Sequence, residues 1–81
     1  MKLDRITTDP AIMQGRPCVR GMRIGVALVL NLIANGMRED DILREYPDLE
    51  PDDIRQCLRY AAILADERTA DSLGERYAVS L

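Results

Sequence analysis

The feature that most restricts the fold of this chain is residues 15–24, where two glycines and a proline separate three arginines. Glycine readily takes positive φ angles and proline fixes φ at about −65°, so turns rather than a regular helix set the backbone here. The arginines are therefore held at defined positions, and we expect a shaped, basic arm. These arginines are Arg16, Arg20 and Arg23.

Charge is divided unevenly along the 81 residues. Residues 1–23 carry five basic and two acidic side chains, a net charge of +3, whereas the rest carries six basic and twelve acidic side chains, a net charge of −6. A basic segment on an acidic body favours one anionic partner and one cationic or polar partner. The alternative is that the arm arginines pair with carboxylates of the body itself.

The residue types present exclude several kinds of site. The chain has no histidine, and Cys18 and Cys57 form no C-x-x-C motif, so we expect no zinc site and no cofactor. The start of the chain lacks an apolar signal segment, and the apolar run at residues 26–34 is too short to span a bilayer. We therefore expect a cytoplasmic protein with reduced thiols and no membrane partner.

An enzymatic function is not expected. Two aspartate pairs, residues 40–41 and 52–53, could be imagined as metal ligands, but both fall in predicted first turns of helices, where they favourably face the helix dipole. No side chain with an ordinary pKa near neutrality is available as a general base. The short, aliphatic chain also gains from burial between copies, which favours a homodimer.

The pattern after the arm predicts three helices. Short strands are expected around residues 5–7, 18–19 and 22–24, followed by a first helix at residues 26–34 that is buried on most of its circumference and stopped by Gly36. A second helix begins after an N-cap at Arg38 and ends before Pro47, and a third begins with Pro51.

The third helix is predicted to be amphipathic. Its inward stripe consists of Ile54, Cys57, Leu58, Ala61, Ala62, Leu64 and Ala65. Its outward face consists of Arg55, Gln56, Arg59, Asp66 and Glu67. The expected fold is mainly α, a three-helix helix-turn-helix bundle of homeodomain-like or winged-helix-like form with an N-terminal β-hairpin-like arm. We divide the chain into the arm at residues 1–25, the tri-helical domain at 26–66 and a C-terminal tail at 67–81.

Several short motifs, in their order and spacing, resemble the small prokaryotic family called domain of unknown function 433. They are Ile6-Thr7-Thr8-Asp9-Pro10, Gly15-Arg16-Pro17, Arg20-Gly21-Met22-Arg23-Ile24, Gly36-Met37, Tyr46-Pro47, Asp53-Ile54 and Tyr60-Ala61-Ala62. The resemblance covers about residues 5–64. It implies an antitoxin-like partner of PIN-like ribonuclease toxins, with the arm as the family's signature.

Three positions depart from the family pattern. Met22 stands where the family usually has a small hydroxyl residue, and Gly25 stands where it usually has proline. Arg38 replaces the usual serine or threonine N-cap. Glycine at position 25 loosens the junction between the arm and the first helix.

Two surfaces are candidates for partner binding. Operator DNA is expected to contact the arm arginines Arg16, Arg20 and Arg23, or the third-helix residues Arg55, Gln56 and Arg59, although Asp52 and Asp53 at the start of that helix repel phosphates. A PIN-like ribonuclease toxin is expected to contact the tail residues Arg68, Leu73, Arg76 and Tyr77. The alternatives are ordinary solvated faces and, for the whole chain, a protein-interaction or dimerisation module of helix-turn-helix form that does not bind DNA.

Overall fold

Three helices follow a short two-stranded arm in the computed structural model, which describes residues 3–66. The elements in chain order are β1 (Ile6–Thr7), a 3₁₀ turn (Met13–Gly15), β2 (Cys18–Val19), α1 (Val26–Ala34), α2 (Glu39–Glu45) and α3 (Pro51–Ala65). The mainly helical fold with an N-terminal hairpin-like arm is confirmed. In the part of the chain that the structure describes, no helix is long and apolar enough to cross a bilayer.

The arm is held together by one antiparallel strand pair and one tight turn. Ile6 pairs with Val19 and Thr7 with Cys18. The chain then reverses through Arg20 and Gly21, whose φ angles are +46° and +70°, as the two central positions of a type I′ turn require. The third predicted strand, at residues 22–24, is wrong, because this return segment makes only an isolated bridge from Gly25 to Cys18.

Helix α1 ends as its sequence predicts. Gly36 has a φ of +89°, its N–H donates to the Ile33 carbonyl at 2.9 Å, and the Met37 N–H donates to the Leu32 carbonyl at 3.0 Å. This is a Schellman motif. The expectation that most of the circumference is buried is wrong, because only Val26 and Val29 are buried while Leu28 is exposed. A three-helix domain covers α1 from one side only.

Helices α2 and α3 begin where the sequence predicts. Arg38 is the N-cap of α2, although its side chain makes no capping hydrogen bond, and Pro51 is the first residue of α3. All three helices contribute to one core with β2 and the loop after α2. Its buried members are Val19, Val26, Val29, Ile42, Leu49, Ile54 and Cys57.

The predicted faces of α3 are partly wrong. Of the inward stripe, Ile54 and Cys57 are buried and Ala61 is half-buried, but Leu58, Ala62, Leu64 and Ala65 are exposed. Of the outward face, Gln56 is buried. The first half of α3 is covered by both the arm and the other helices, which buries polar as well as apolar positions, whereas its second half extends beyond them.

Candidate functional site

A buried carboxylate joins the arm to the helical body. Asp53, the third residue of α3, is 0% exposed. Its Oδ1 accepts from Nη1 of Arg5 at 3.0 Å and from Nε of Arg20 at 3.0 Å. Its Oδ2 accepts from Nη2 of Arg20 at 2.9 Å and from the backbone N–H of Glu50 at 2.8 Å. Two arm arginines and the start of α3 therefore meet on one carboxylate.

The electrostatics of this cluster favour its charged form. Burial acts to raise the pKa of Asp53, but hydrogen bonds from Arg20, from the Glu50 backbone and from Arg5 outweigh it, so the pKa lies below its ordinary value. Hydrogen bonds to Glu50 and Asp53 raise the pKa of Arg5, and the hydrogen bond to Asp53 raises that of Arg20. The cluster is thus an ion triad at neutral pH.

Gln56 extends the same contact by one helical turn. Its Oε1 accepts the backbone N–H of Arg5 at 2.9 Å, and its Nε2 donates to Oδ1 of Asp4 at 2.7 Å. The prediction that Gln56 lies on the exposed face and is free to read adenine is therefore wrong on placement. Its amide is used to hold the segment before β1 against α3.

Arg20 is bound through Nε and Nη2 of its guanidinium. Besides Asp53, its Nη2 donates to the carbonyl of Asp48 at 2.6 Å, in the loop between α2 and α3. Of the two expectations for the arm arginines, pairing with the body's carboxylates describes Arg20 in this structure. Arg20 and Arg5 together form what we call the inner face of the arm.

Arg16 and Arg23 are placed differently. Both are exposed, and neither makes an ion pair with any residue in the range 3–66. They line one open hollow of about 550 Å³ together with Pro10, Met13 and Gln14. We call this surface the basic hollow. Positive φ angles at Met13, Gln14 and Gly15 form the tight turn beside it, so the backbone and not a helix sets the position of Arg16.

The exposed arginines of α3 form a separate surface. Arg55 pairs with Asp52 one turn earlier on the same helix, whereas Arg59 is exposed and has no ion-pair partner among the described residues. The predicted trio of Arg55, Gln56 and Arg59 therefore does not form a common surface. The tail candidates Arg68, Leu73, Arg76 and Tyr77 lie outside the described residues.

A second cavity lies between α1 and α3. It measures about 630 Å³ and is lined by apolar side chains of both helices, with Arg16 and Pro17 of the arm on one side. We call it the apolar groove. Leu64, which lines it, is 50% exposed. Met13 and Arg16 line both the basic hollow and the apolar groove, so the two cavities are neighbours across the arm.

Both cysteines are buried and free. Burial, with the nearby charge of Asp53, raises the pKa of Cys57 to about 11. The thiol is therefore protonated at neutral pH and packs as a small apolar side chain. The Cys18 thiol donates to the Arg16 carbonyl at 3.2 Å, which helps to fix the arm.

Sequence reasoning placed Asp53 in a helical first turn but missed that it is buried. The available signal was an acidic residue at the third helical position, where a side chain can reach back to the N-cap backbone. Arg5 and Asp4 were not singled out, because a contact spanning about fifty positions leaves no local periodicity.

Comparison with known proteins identifies the family of the chain. A family model described as a protein of unknown function, DUF433, matches residues 6–61. The matched segment runs from β1 to Ala61 in α3. It includes Arg20, Asp53 and the basic hollow, but not Arg5. No curated protein and no solved structure matches the chain.

Proposed function

The chain belongs to the DUF433 family of proteins of unknown function, and from this premise we propose that it is an antitoxin that binds and neutralises a PIN-like ribonuclease toxin and represses its own operon by binding DNA. The observation that carries the nucleic-acid half is the basic hollow, in which two exposed arginines without ion-pair partners among residues 3–66 face the same space.

The geometry supports DNA contact by the arm rather than by the start of α3. Guanidinium groups bind phosphates through several N–H donors, and each neutralised phosphate contributes affinity that falls with salt. Arg16 and Arg23 provide two such groups. A recognition helix would instead present Pro51 and Asp52 to the groove, and Asp52 carries the same charge sign as phosphate. In this proposal α2 and α3 form the helix-turn-helix, and the arm supplies the main phosphate contacts.

The proposed binding of a ribonuclease toxin is supported by the family resemblance and by the charge of the chain. The body is acidic, which suits a basic ribonuclease surface. The active site of a PIN-like toxin is a cluster of carboxylates, which a basic side chain can occupy. In the sequence of the C-terminal tail, Arg68 and Arg76 supply basic groups, and Leu73 and Tyr77 supply apolar groups.

DNA binding is tested with a duplex taken from upstream of the protein's own gene, by fluorescence anisotropy at several salt concentrations. The variants Arg16→Ala and Arg23→Ala should each weaken binding and lower the slope of log affinity against log salt by about one. Arg44→Ala is the matched control, because Arg44 is exposed but pairs with Asp41 on α2. A slope near zero for the unmodified protein would remove phosphate contacts from the proposal.

Toxin neutralisation is tested by co-expressing the product of the adjacent reading frame. We expect relief of growth arrest and copurification of the two proteins. Deletion of residues 71–81 should leave the melting temperature of the remaining domain unchanged and abolish copurification. Copurification of the shortened chain would move the toxin contact to the helices.

A second candidate function is a protein-interaction module of helix-turn-helix form without DNA binding. The internal use of Arg20, Arg55 and Gln56 favours it, since three of the six predicted DNA contacts are bound within the chain. The anisotropy experiment separates the two functions. An interaction module should bind the upstream duplex no better than a scrambled duplex of the same length.

A further inference from the structure

The apolar stripe of α3 continues past the part of the molecule that covers it. Helix α3 has fifteen residues and α1 has nine. Cys57, Ala61 and Leu64 share one helical face because they are spaced by three or four residues. Exposure along this face rises from 0% at Cys57 to 50% at Leu64. The apolar face of α3 therefore continues from the buried core into the apolar groove.

The groove offers a concave apolar surface with little charge. Leu28 and Leu30 of α1 form one wall, and Tyr60, Ala61 and Leu64 of α3 form the other. Arg16 is the one charged residue among the described residues that line it. An exposed apolar surface of this kind is typical of a protein-binding site.

The chain itself carries a negative charge that can pair with Arg16, at the C-terminal end of α3. The last turn of α3 contains no basic residue, and the helix ends at the C-cap Asp66. The carbonyl end of a helix carries partial negative charge, which Asp66 increases. Asp66 makes no ion pair with another residue in the range 3–66. The same helix end thus combines an exposed apolar side chain, Leu64, with a negative charge that has no ion-pair partner among residues 3–66.

We propose that the apolar groove binds a second copy of this chain. Two chains related by a twofold axis each place Leu64 in the groove of the other, and the Asp66 end of each α3 faces Arg16 of the other chain. A twofold contact requires that one surface supply both halves of the interaction. This condition is met here, because α3 lines the apolar groove and also carries Leu64 and Asp66 at its C-terminal end.

The small core supports this occupant over an unrelated protein. Eight apolar side chains of the described residues are buried, and an 81-residue chain gains stability from burial between copies. Arg16 lines both cavities. Its guanidinium has five N–H donors, so one edge can face Asp66 of the second chain while the other remains directed to the basic hollow.

The first test is the association state of the full chain without DNA or toxin, by sedimentation velocity over a wide concentration range. We expect a reversible dimer whose dissociation constant rises about 100-fold in Leu64→Asp. Leu58→Asp is the matched control, because Leu58 is 47% exposed on the same helix but does not line the groove. Circular-dichroism melting should show that each variant keeps its helical fold.

The second test is charge reversal. Arg16→Glu and Asp66→Arg should each weaken self-association, because each homodimer then brings two pairs of like charges together. A mixture of the two variants should restore association, because the mixed dimer has opposite charges at both contacts. Rescue by mixing requires that Arg16 and Asp66 meet between chains and not within one chain.

The outcomes decide the proposal without reference to DNA or toxin binding. A monomer at all concentrations would overturn it, and so would a dimer that Leu64→Asp leaves intact. Failure of the mixed variants to associate would also overturn it. A protein that dimerises as expected but binds neither DNA nor toxin would instead reject the proposed function and leave this inference standing.

Discussion

The two faces of the arm use the same residue type for different purposes. On the inner face, Arg20 and Arg5 bind a carboxylate that is 0% exposed. On the outer face, Arg16 and Arg23 are exposed around the basic hollow and have no ion pair with a described residue. Arg20 lies between Arg16 and Arg23 in the chain, so position in the sequence alone does not separate the two groups.

The difference comes from the backbone turn and from one buried acid. Positive φ at Arg20 directs its side chain toward the start of α3, where Asp53 needs a cation because a buried unpaired carboxylate is costly. Arg16 and Arg23 lie where no buried acid of the described residues reaches them. Stability of the arm and binding by the arm are therefore assigned to different arginines, and substitutions can separate them.

The largest effect is expected from removing the charge of the inner face. Asp53→Asn leaves two guanidinium groups facing a neutral amide, and we expect the free energy of unfolding to fall by about 2 to 4 kcal/mol, below the full cost for a buried ion pair because both arginines are partly exposed. Urea denaturation followed by circular dichroism measures this loss. Asp52→Asn, at the neighbouring exposed position, should change stability by less than about 1 kcal/mol. Equal losses of unfolding free energy in the two variants would show that the buried carboxylate contributes no more to stability than the exposed one.

The same cluster should make stability depend on acid pH. The folded-state pKa of Asp53 lies below its ordinary value, so in acid the unfolded chain takes up this proton first. The stabilisation is therefore complete above the unfolded pKa of about 4 and is lost as pH falls through the folded pKa. Urea midpoints measured from pH 6 down to acid should converge for the natural chain and Asp53→Asn. A gap between them that stays constant across this range would contradict the assignment.

Substitution of one arginine from each face is expected to give smaller effects, on two different properties. The inner-face variant should lose stability, and the outer-face variant should lose DNA binding. Arg20→Ala should lower the urea midpoint, though less than Asp53→Asn does, because Arg5 still binds Asp53. At a protein concentration low enough for the chain to be monomeric, Arg16→Ala should leave the urea midpoint unchanged and weaken DNA binding instead. Measuring both properties on both variants tests the separation directly. If Arg16→Ala destabilises the fold as much as Arg20→Ala, the outer face is structural as well.

The order and bounds of the helices could be predicted because their signals are local. Gly36 stops α1, and Pro51 opens α3 after the loop at Pro47, through backbone constraints that act within a few residues. Burial around each helix could not be predicted equally well. Leu64 is on the apolar face of α3 and is still 50% exposed, because its environment depends on where the other elements end.

The candidate site could be predicted only in part, because several of its contacts join residues that are far apart in the sequence. The basic character of the arm is readable from composition, but the division into inner and outer arginines depends on Asp53, which is more than thirty positions from Arg20. Gln56 was misplaced because helical periodicity groups it with Arg55 and Arg59. The contact with Asp4 and the Arg5 backbone that buries it arises only when the arm lies on α3.

The smallest effect concerns the junction that connects both faces of the arm to α1. Gly25 has a φ of −75°, which proline also adopts, and the nearest atom to an added Cβ would be Cε of Met13 at 3.5 Å, an ordinary contact. Gly25→Pro should therefore raise the free energy of unfolding by about 0.4 to 1 kcal/mol, because it restricts the unfolded chain. Thermal melting measures this gain.

Gly21→Ala should have the opposite effect on stability. Its φ of +70° is unfavourable for a residue with a Cβ even though no atom lies within 4 Å of the added group, so this substitution should destabilise the fold by about 1 kcal/mol.

DNA affinity should be unchanged in Gly25→Pro, because the positions of Arg16 and Arg23 depend on the turns of the arm and not on its link to α1. A loss of DNA binding in this variant, with the expected gain in stability, would mean that the basic hollow must move relative to the helices in order to bind.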